Sequence, residues 1–206
     1  LLVYYYFKMT YRKKCMSCNS RDLKVFLDLN KQPNGNNFPS KKNLKKVKLY
    51  PLKMIVCKKC WLIQIDKFPS QIDLFSNHNY ISGDNVPVIE HFKKFSNNII
   101  NKYQLNNNSL VLDIGCNDGS LLNYFKKKNI NVIGFDPSNK THNLIKNKKI
   151  KIVKKFWNKK NSNYFKNKKL PDVITSTASF YHIPDLHDFI LGLRNIMHKN
   201  SVFVFQ

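Results

Sequence analysis

A chain of 206 residues with 42% hydrophobic residues has room for one good-sized domain or two small ones, and this composition excludes wholesale disorder. Its formal net charge is +24, from 36 Lys and Arg against 12 Asp and Glu, which would point to polyanionic partners if the charge were gathered on one face. It is not gathered in the sequence. Lysine occurs in nearly every segment, with asparagine beside it in runs such as NGNN and KNKK, so compositional bias accounts for the charge better than a nucleic-acid footprint.

The opening LLVYYYF is too short to span a bilayer, and no later segment has the roughly 18 uninterrupted apolar residues of a membrane helix. The first methionine is Met9, so residues 1–8 are expected to lie upstream of the natural start, within an extension assigned to residues 1–10. The chain reads as soluble and cytoplasmic.

Four of the five cysteines form two knuckles, Cys15-Met-Ser-Cys18 and Cys57-Lys-Lys-Cys60. Two C-x-x-C pairs place four thiolates around one tetrahedron, the donor set Zn²⁺ prefers in closed structural sites. Two disulfides or a redox dithiol are the competing readings. Disulfides fit poorly with a cytosolic chain, and a redox pair needs no second pair. The insert between the knuckles carries strand-like VFLDL (25–29), a Pro-Asn-Gly turn at 33–35 and the apolar stretch LYPLKMIVC (49–57). Residues 11–66 are therefore expected to fold as a zinc lobe, followed by a helical linker over 67–107.

From residue 108 strands and helices alternate. SLVLDI (109–114), INVIGFD (130–136), KIKIV (149–153), DVITS (172–176) and SVFVF (201–205) read as strands. SLLNYFKKK (120–128), Ser138–Lys146 and residues 185–199 read as helices. Alternating βα units predict an α/β fold with a parallel, Rossmann-like sheet and ligands at the strand C-termini. At the first strand–helix junction stands Asp113-x-Gly115-x-x-x-Gly119, where glycines permit a tight turn and close approach of a ligand to the backbone. The spacing is neither the G-x-G-x-x-G dinucleotide fingerprint nor a phosphate-binding loop. Asp136, closing the second strand, is placed to accept hydrogen bonds from ribose hydroxyls. Cys116 inside the loop reads as a small residue beside the backbone, since no activating base adjoins it.

The D-x-G-x-x-x-G pattern resembles motif I of class I methyltransferases. Adding the knuckles, the segment P-L-x-x-x-V-C-x-x-C-x-x-x-Q (Pro51 to Gln64), VLDIGCNDGSLL and GFDPS, residues 11–206 resemble the zinc-containing sugar C-methyltransferases. The N-D-G of Asn117, Asp118 and Gly119 and the D-P of Asp136 and Pro137 carry most of that likeness. The resemblance implies S-adenosylmethionine and Zn²⁺ as cofactors and a nucleotide-linked keto-deoxysugar as substrate. It also implies that a base removes the proton next to the ketone, so that the enolate carbon attacks the sulfonium methyl. Such chemistry needs a proton acceptor and a donor to the enolate oxygen. His182, in YHIPD after the fourth strand, and Tyr80, in the linker, are the candidates. A helix-capping histidine and a packing aromatic are their plainer readings. The family's linker usually carries Y-x-Y where this chain has His78-Asn-Tyr80, which leaves the role of His78 open. Cofactor contacts are expected from Asp113, Gly115, Asn117, Asp118, Gly119, Asp136 and Pro137. Ser176, in the loop through Ala178, is a further candidate, although the family often has asparagine in that region. Phe156 or Trp157 could flank adenine or belong to the core.

The family also carries an H-E-H segment beyond the fifth strand, whereas this sequence stops at Gln206. A cofactor domain truncated at its C-terminus (residues 108–206), with weak cofactor binding and no turnover, is the corresponding expectation. Two other readings stay open: a zinc-containing RNA methyltransferase, and a cofactor-binding remnant without catalysis. Nothing in the sequence indicates an oligomeric state.

Overall fold

The computed structural model describes residues 9–35, 39–75, 79–145, 147 and 149–206. It divides into two compact units, Leu1–Asn79 and Tyr80–Gln206.

The first unit is built on β-pairing. Strands β2 (Leu23–Pro33), β3 (Leu49–Cys57) and β4 (Ile63–Ile65) form an antiparallel sheet, and β1 (Thr10–Tyr11) pairs with β5 (Lys67–Phe68). The short helix α1 (Gln71–Phe75) follows. The expected strands at 25–29 and 49–57 are present, the first longer at both ends. Register breaks at Val25/Leu27 and Asp28/Lys31 bend β2. Almost all of β2 is exposed, including Val25, Phe26, Leu27 and Leu29. Among the described residues of this unit, the buried apolar side chains are Cys15, Ile55, Cys57 and Pro69, a small core for a sheet of this length.

The second unit is a five-stranded, wholly parallel sheet in the order β10-β9-β6-β7-β8. Its strands are β6 (Leu110–Ile114), β7 (Asn131–Phe135), β8 (Lys151–Val153), β9 (Val173–Ser176) and β10 (Val202–Phe205). Side chains alternate across the sheet. Val111 and Val173 join Phe92, Ile99, Leu121, Leu122 and Phe125 from α2 (Val86–Lys102) and α3 (Ser120–Lys127) on one face. Leu110, Leu112, Ile114 and Ile174 meet Trp157, Phe165 and Phe189, Leu193 and Ile196 of α5 (Leu186–Ile196) on the other. Cover on both faces is why β6 is apolar almost throughout rather than alternating. Asn85 and Asp185 cap α2 and α5 through their side chains.

All five expected strands of this sheet form, each shortened by one or two residues. The helix expected at 138–146 is a single turn, α4 (Asn139–His142). Ser138 caps it by accepting from Thr141 N–H, and the chain leaves the helix at Asn143 although Ile145 still packs against the core. Trp157 is buried edge-on against Phe135, with its indole N–H donated to Phe189 O, so it is a core residue.

Strand order reverses between β6 and β9, each of which starts a run toward a different sheet edge. In open α/β sheets this reversal opens a crevice at the strand C-termini, the place where ligands bind.

Candidate functional site

In the first unit, the knuckles sit where chain turns are sharpest. Asn19 N–H donates to Cys15 O, and Trp61 N–H donates to Cys57 O. The residue closing each turn is left-handed, Asn19 at φ 59° and Trp61 at φ 62°. Asparagine tolerates that conformation; a bulky tryptophan there is strained and is held only by what surrounds it. Buried Gln64 links the two knuckles by accepting a hydrogen bond from Met16 N–H at 3.0 Å. The four Sγ atoms lie within 4.8 Å of one another, with Cys15–Cys60 at 3.5 Å and Cys18–Cys57 at 3.6 Å. A ZnS₄ tetrahedron with bonds of about 2.3 Å has edges of about 3.8 Å, so this donor set fits Zn²⁺. The thiols contend for charge. Burial raises Cys15, but N–H donation around Cys18 and Ser17 and the bond to Gln64 outweigh it and bring the thiol down to about 6. Cys60 is lowered by a backbone bond at Leu62, yet burial and the three neighbouring sulfurs push it up to about 12. A divalent cation relieves that crowding by holding all four as thiolates.

In the second unit, the glycine loop follows β6 directly. Gly115 and Gly119 have φ near +77° and +76°, and Asn117 is also left-handed at φ 52°. A side chain at Gly115 would come within 2.6 Å of Ser179, so the loop and the segment after β9 touch across the strand-order reversal. Gly115 and Cys116 both donate their N–H to Phe135 O. Asp136, almost wholly buried, accepts from Asn117 N–H through Oδ2 (3.0 Å) and from Ser138 N–H through Oδ1 (2.9 Å). Its carboxyl is raised above its ordinary range, chiefly by burial, with these backbone donors opposing. Its Oδ2 accepts from Asn117 N–H and has a second lone pair that a ligand hydroxyl can use. Asp113 lies deeper, its Oδ1 accepting the Thr175 hydroxyl at 2.8 Å. Burial first, and the Asp136 charge second, push it up to about 7. The Cys116 thiol is pushed well up by burial, as befits packing rather than nucleophilic attack.

The sequence-selected residues separate into distinct situations. Gly115, Gly119 and Asp136 gather at the C-terminal edge of β6 and β7. Pro137 follows Asp136 there. The side chains of Asn117 and Asp118 are engaged with the segment before α2: Asn117 bonds Tyr80 and Ser82, and Asp118 bonds Gly83 and Ser120. Ser176 is wholly buried and bonded to Ser179, whose hydroxyl also donates to Ile114 O. His182 is exposed on the 3-10 turn Phe180–His182 after β9, and Tyr80 is exposed at the head of this unit. Phe156 is partly buried. His78 lies outside the described residues. Sequence reading passed over Thr175, Ser179 and Gly83. Only Gly83 left a trace, a glycine in a polar turn shortly before a helix.

Two outcomes follow. Chelating the zinc should make the lysines of residues 9–75 at least tenfold more sensitive to trypsin while residues 80–206 stay resistant; equal cleavage with and without metal would contradict a zinc-held lobe. Asp113 keeps its proton to about pH 7 in the fold, against 3.8 for an ordinary aspartate. Between those values the folded state binds the extra proton, so its contribution to stability is complete below pH 3.8 and is lost as pH rises through 7. Urea melts of Asp113→Asn should therefore show a shallower fall in stability over that window than the parent. Parallel pH profiles would contradict the burial of Asp113.

Comparison with known proteins agrees with this geometry. Residues 15–75 match the family model of a zinc binding domain, and residues 88–206 match that of a methyltransferase domain. The C-methyltransferase NovU of Streptomyces niveus is 23% identical over 156 residues, covering 75% of this chain and 37% of NovU. The chain thus spans little more than a third of the length of this curated relative. Among solved structures, a SAM-dependent methyltransferase from Archaeoglobus fulgidus is 24% identical with a TM-score of 0.46, over 57% of this chain and 52% of that one. The plantazolicin methyltransferase BpumL, in complex with a pentazolic desmethylPZN analog and SAH, is 21% identical with a TM-score of 0.49, over 60% and 49%. With more than half of its length matched by the methyltransferase model, the chain belongs to the methyltransferase domain family, its methyltransferase domain preceded by a zinc-binding domain with a four-cysteine cluster.

Proposed function

We propose that this chain forms the zinc-binding and cofactor-binding part of a C-methyltransferase acting on a nucleotide-linked keto-deoxysugar. The observation that carries the reading is the extent of the NovU match. At 156 residues it is longer than either compact unit, so it joins the cysteine lobe and the glycine-loop sheet in one likeness to a C-methyltransferase. The motif details of both halves support the sugar as substrate class.

Within this reading the cofactor lies along the C-terminal edge of β6 and β7. The left-handed Gly115 and Gly119 keep the loop free of side chains, and Asp136 at the end of β7 accepts from the ribose hydroxyls. When bound, S-adenosylmethionine supplies an electrophilic methyl on its sulfonium and leaves as S-adenosylhomocysteine. The chain's own residues handle the proton and the developing negative charge. His182, beyond the C-terminal end of β9, accepts the proton from the sugar carbon next to the ketone through its imidazole. Tyr80 donates its hydroxyl to the enolate oxygen. Zn²⁺ on Cys15, Cys18, Cys57 and Cys60 has all four positions filled by protein, so its part is structural.

Calorimetric titration of the zinc-loaded chain with S-adenosylhomocysteine tests the cofactor seat. Binding is expected, and Asp136→Ala should weaken it at least tenfold; equal binding by the variant would remove Asp136 from the site. Labelled methyl transfer from S-adenosylmethionine, offered both a nucleotide-linked 4-keto-deoxysugar and RNA, tests the acceptor. Label in the sugar carbon skeleton supports the proposal, and label in RNA would overturn it.

A further inference from the structure

The glycine loop carries two polar side chains whose hydrogen bonds reach a distant segment of the chain. Asn117 offers both halves of its amide to one short segment: Oδ1 accepts from Ser82 N–H and Nδ2 donates to Tyr80 O, each at 3.0 Å. A carbonyl at one residue and an N–H two residues on are what a neighbouring β-strand would present, and the side chain takes the place of that strand. Asp118 continues the contact, its Oδ2 accepting from Gly83 N–H at 3.1 Å and from the Ser120 hydroxyl at 2.9 Å. The approach is so close that a Cβ on Gly83 would overlap Asp118 Oδ2 and meet Ser120 Oγ at 3.0 Å. Ser82 is buried beneath this contact. Asn85, three residues after Ser82, caps α2, which packs against α3, and α3 starts from the same loop. Loop, α3, α2 and the 80–84 segment therefore close a circuit, each member fixed by the one before it.

We infer that Asn117 and Asp118 are positioning residues, whose side chains strap the Tyr80–Asp84 segment onto the glycine loop and so set Tyr80 beside the cofactor seat. The inference rests on the reading of Tyr80 and of the loop given above. Asparagine is the residue type this role needs at 117, because the contact takes one donor and one acceptor from a single planar group. Asparagine also tolerates the left-handed backbone there.

Residue-resolved amide hydrogen exchange on the zinc-loaded chain, without and with S-adenosylhomocysteine, tests the strap. Asn117→Gly keeps the left-handed backbone and deletes both bonds; it should speed exchange at Ser82 tenfold or more while the amides of β6 stay protected. Asn117→Asp retains the acceptor and should leave Ser82 protected, a rescue that general loosening of the loop would not give. Gly83→Ala, which displaces the Asp118 carboxylate, should speed exchange at both Ser82 and position 83. Unchanged protection at Ser82 in Asn117→Gly would overturn the inference. So would a tenfold loss of S-adenosylhomocysteine affinity in that variant with Ser82 still protected, because Asn117 would then be a cofactor ligand. Failure of the parent chain to bind S-adenosylhomocysteine would count against the cofactor seat, whereas the ligand-free exchange rates judge the strap by themselves.

Discussion

The arrangement of the second unit depends on one buried carboxylate. Asp136 stands at the end of β7 and takes backbone N–H bonds from Asn117 in the glycine loop and from Ser138 at the start of α4. Each of those N–H groups would otherwise be a donor without a strand partner, and the acid serves both from one position. Burial raises its affinity for a proton, and the two donors oppose that rise. Its position fixes the loop after β6 relative to the loop after β7, and the crevice at the strand-order reversal takes its shape from that relation. A neutral or shorter side chain at 136 would leave both loops to find other partners.

The first unit is held in a different way. Its sheet is open along β2, with Phe26 and Leu29 exposed, and the side chains it buries are mostly those of the knuckles and Gln64. Four thiolates on one cation replace a hydrophobic core here, as in other small lobes that cannot bury enough surface. Gln64 extends the effect one step outward by tying the strand after the second knuckle to the turn of the first. Strain at Trp61, left-handed and exposed, is tolerated because the sulfur beside it is anchored.

Much of this was legible in the sequence, for reasons that can be named. Parallel strands covered on both faces read as continuous apolar runs, so β6, β7, β9 and β10 were visible in LVLDI, NVIGF, VITS and VFVF. The cysteine spacing disclosed the metal set because its chemistry demands those residue types. Extended structure in β2 was underestimated, since LKVFLDLNKQP is not organised around a core and its pairing with β3 is made by the backbone. The segment after Asp136 was overestimated as a helix because local spacing cannot show that Ser138 and Thr141 are drawn to the carboxylate. Least legible were the loop side chains. Asn117 and Asp118 fall within a glycine motif, and nothing in that motif shows that their side-chain bonds run to Tyr80, Ser82 and Gly83, some 35 residues earlier. Long-range polar contacts of that kind leave no periodicity to read.

The seat proposed for S-adenosylmethionine is the C-terminal edge of β6 and β7, and amide chemical-shift mapping with S-adenosylhomocysteine is the decisive measurement. The largest shifts should fall on Gly115–Gly119 and on Asp136 and Ser138, with the cysteine knuckles unmoved. Shifts gathered elsewhere, or none in a folded, zinc-loaded chain, would contradict the claim.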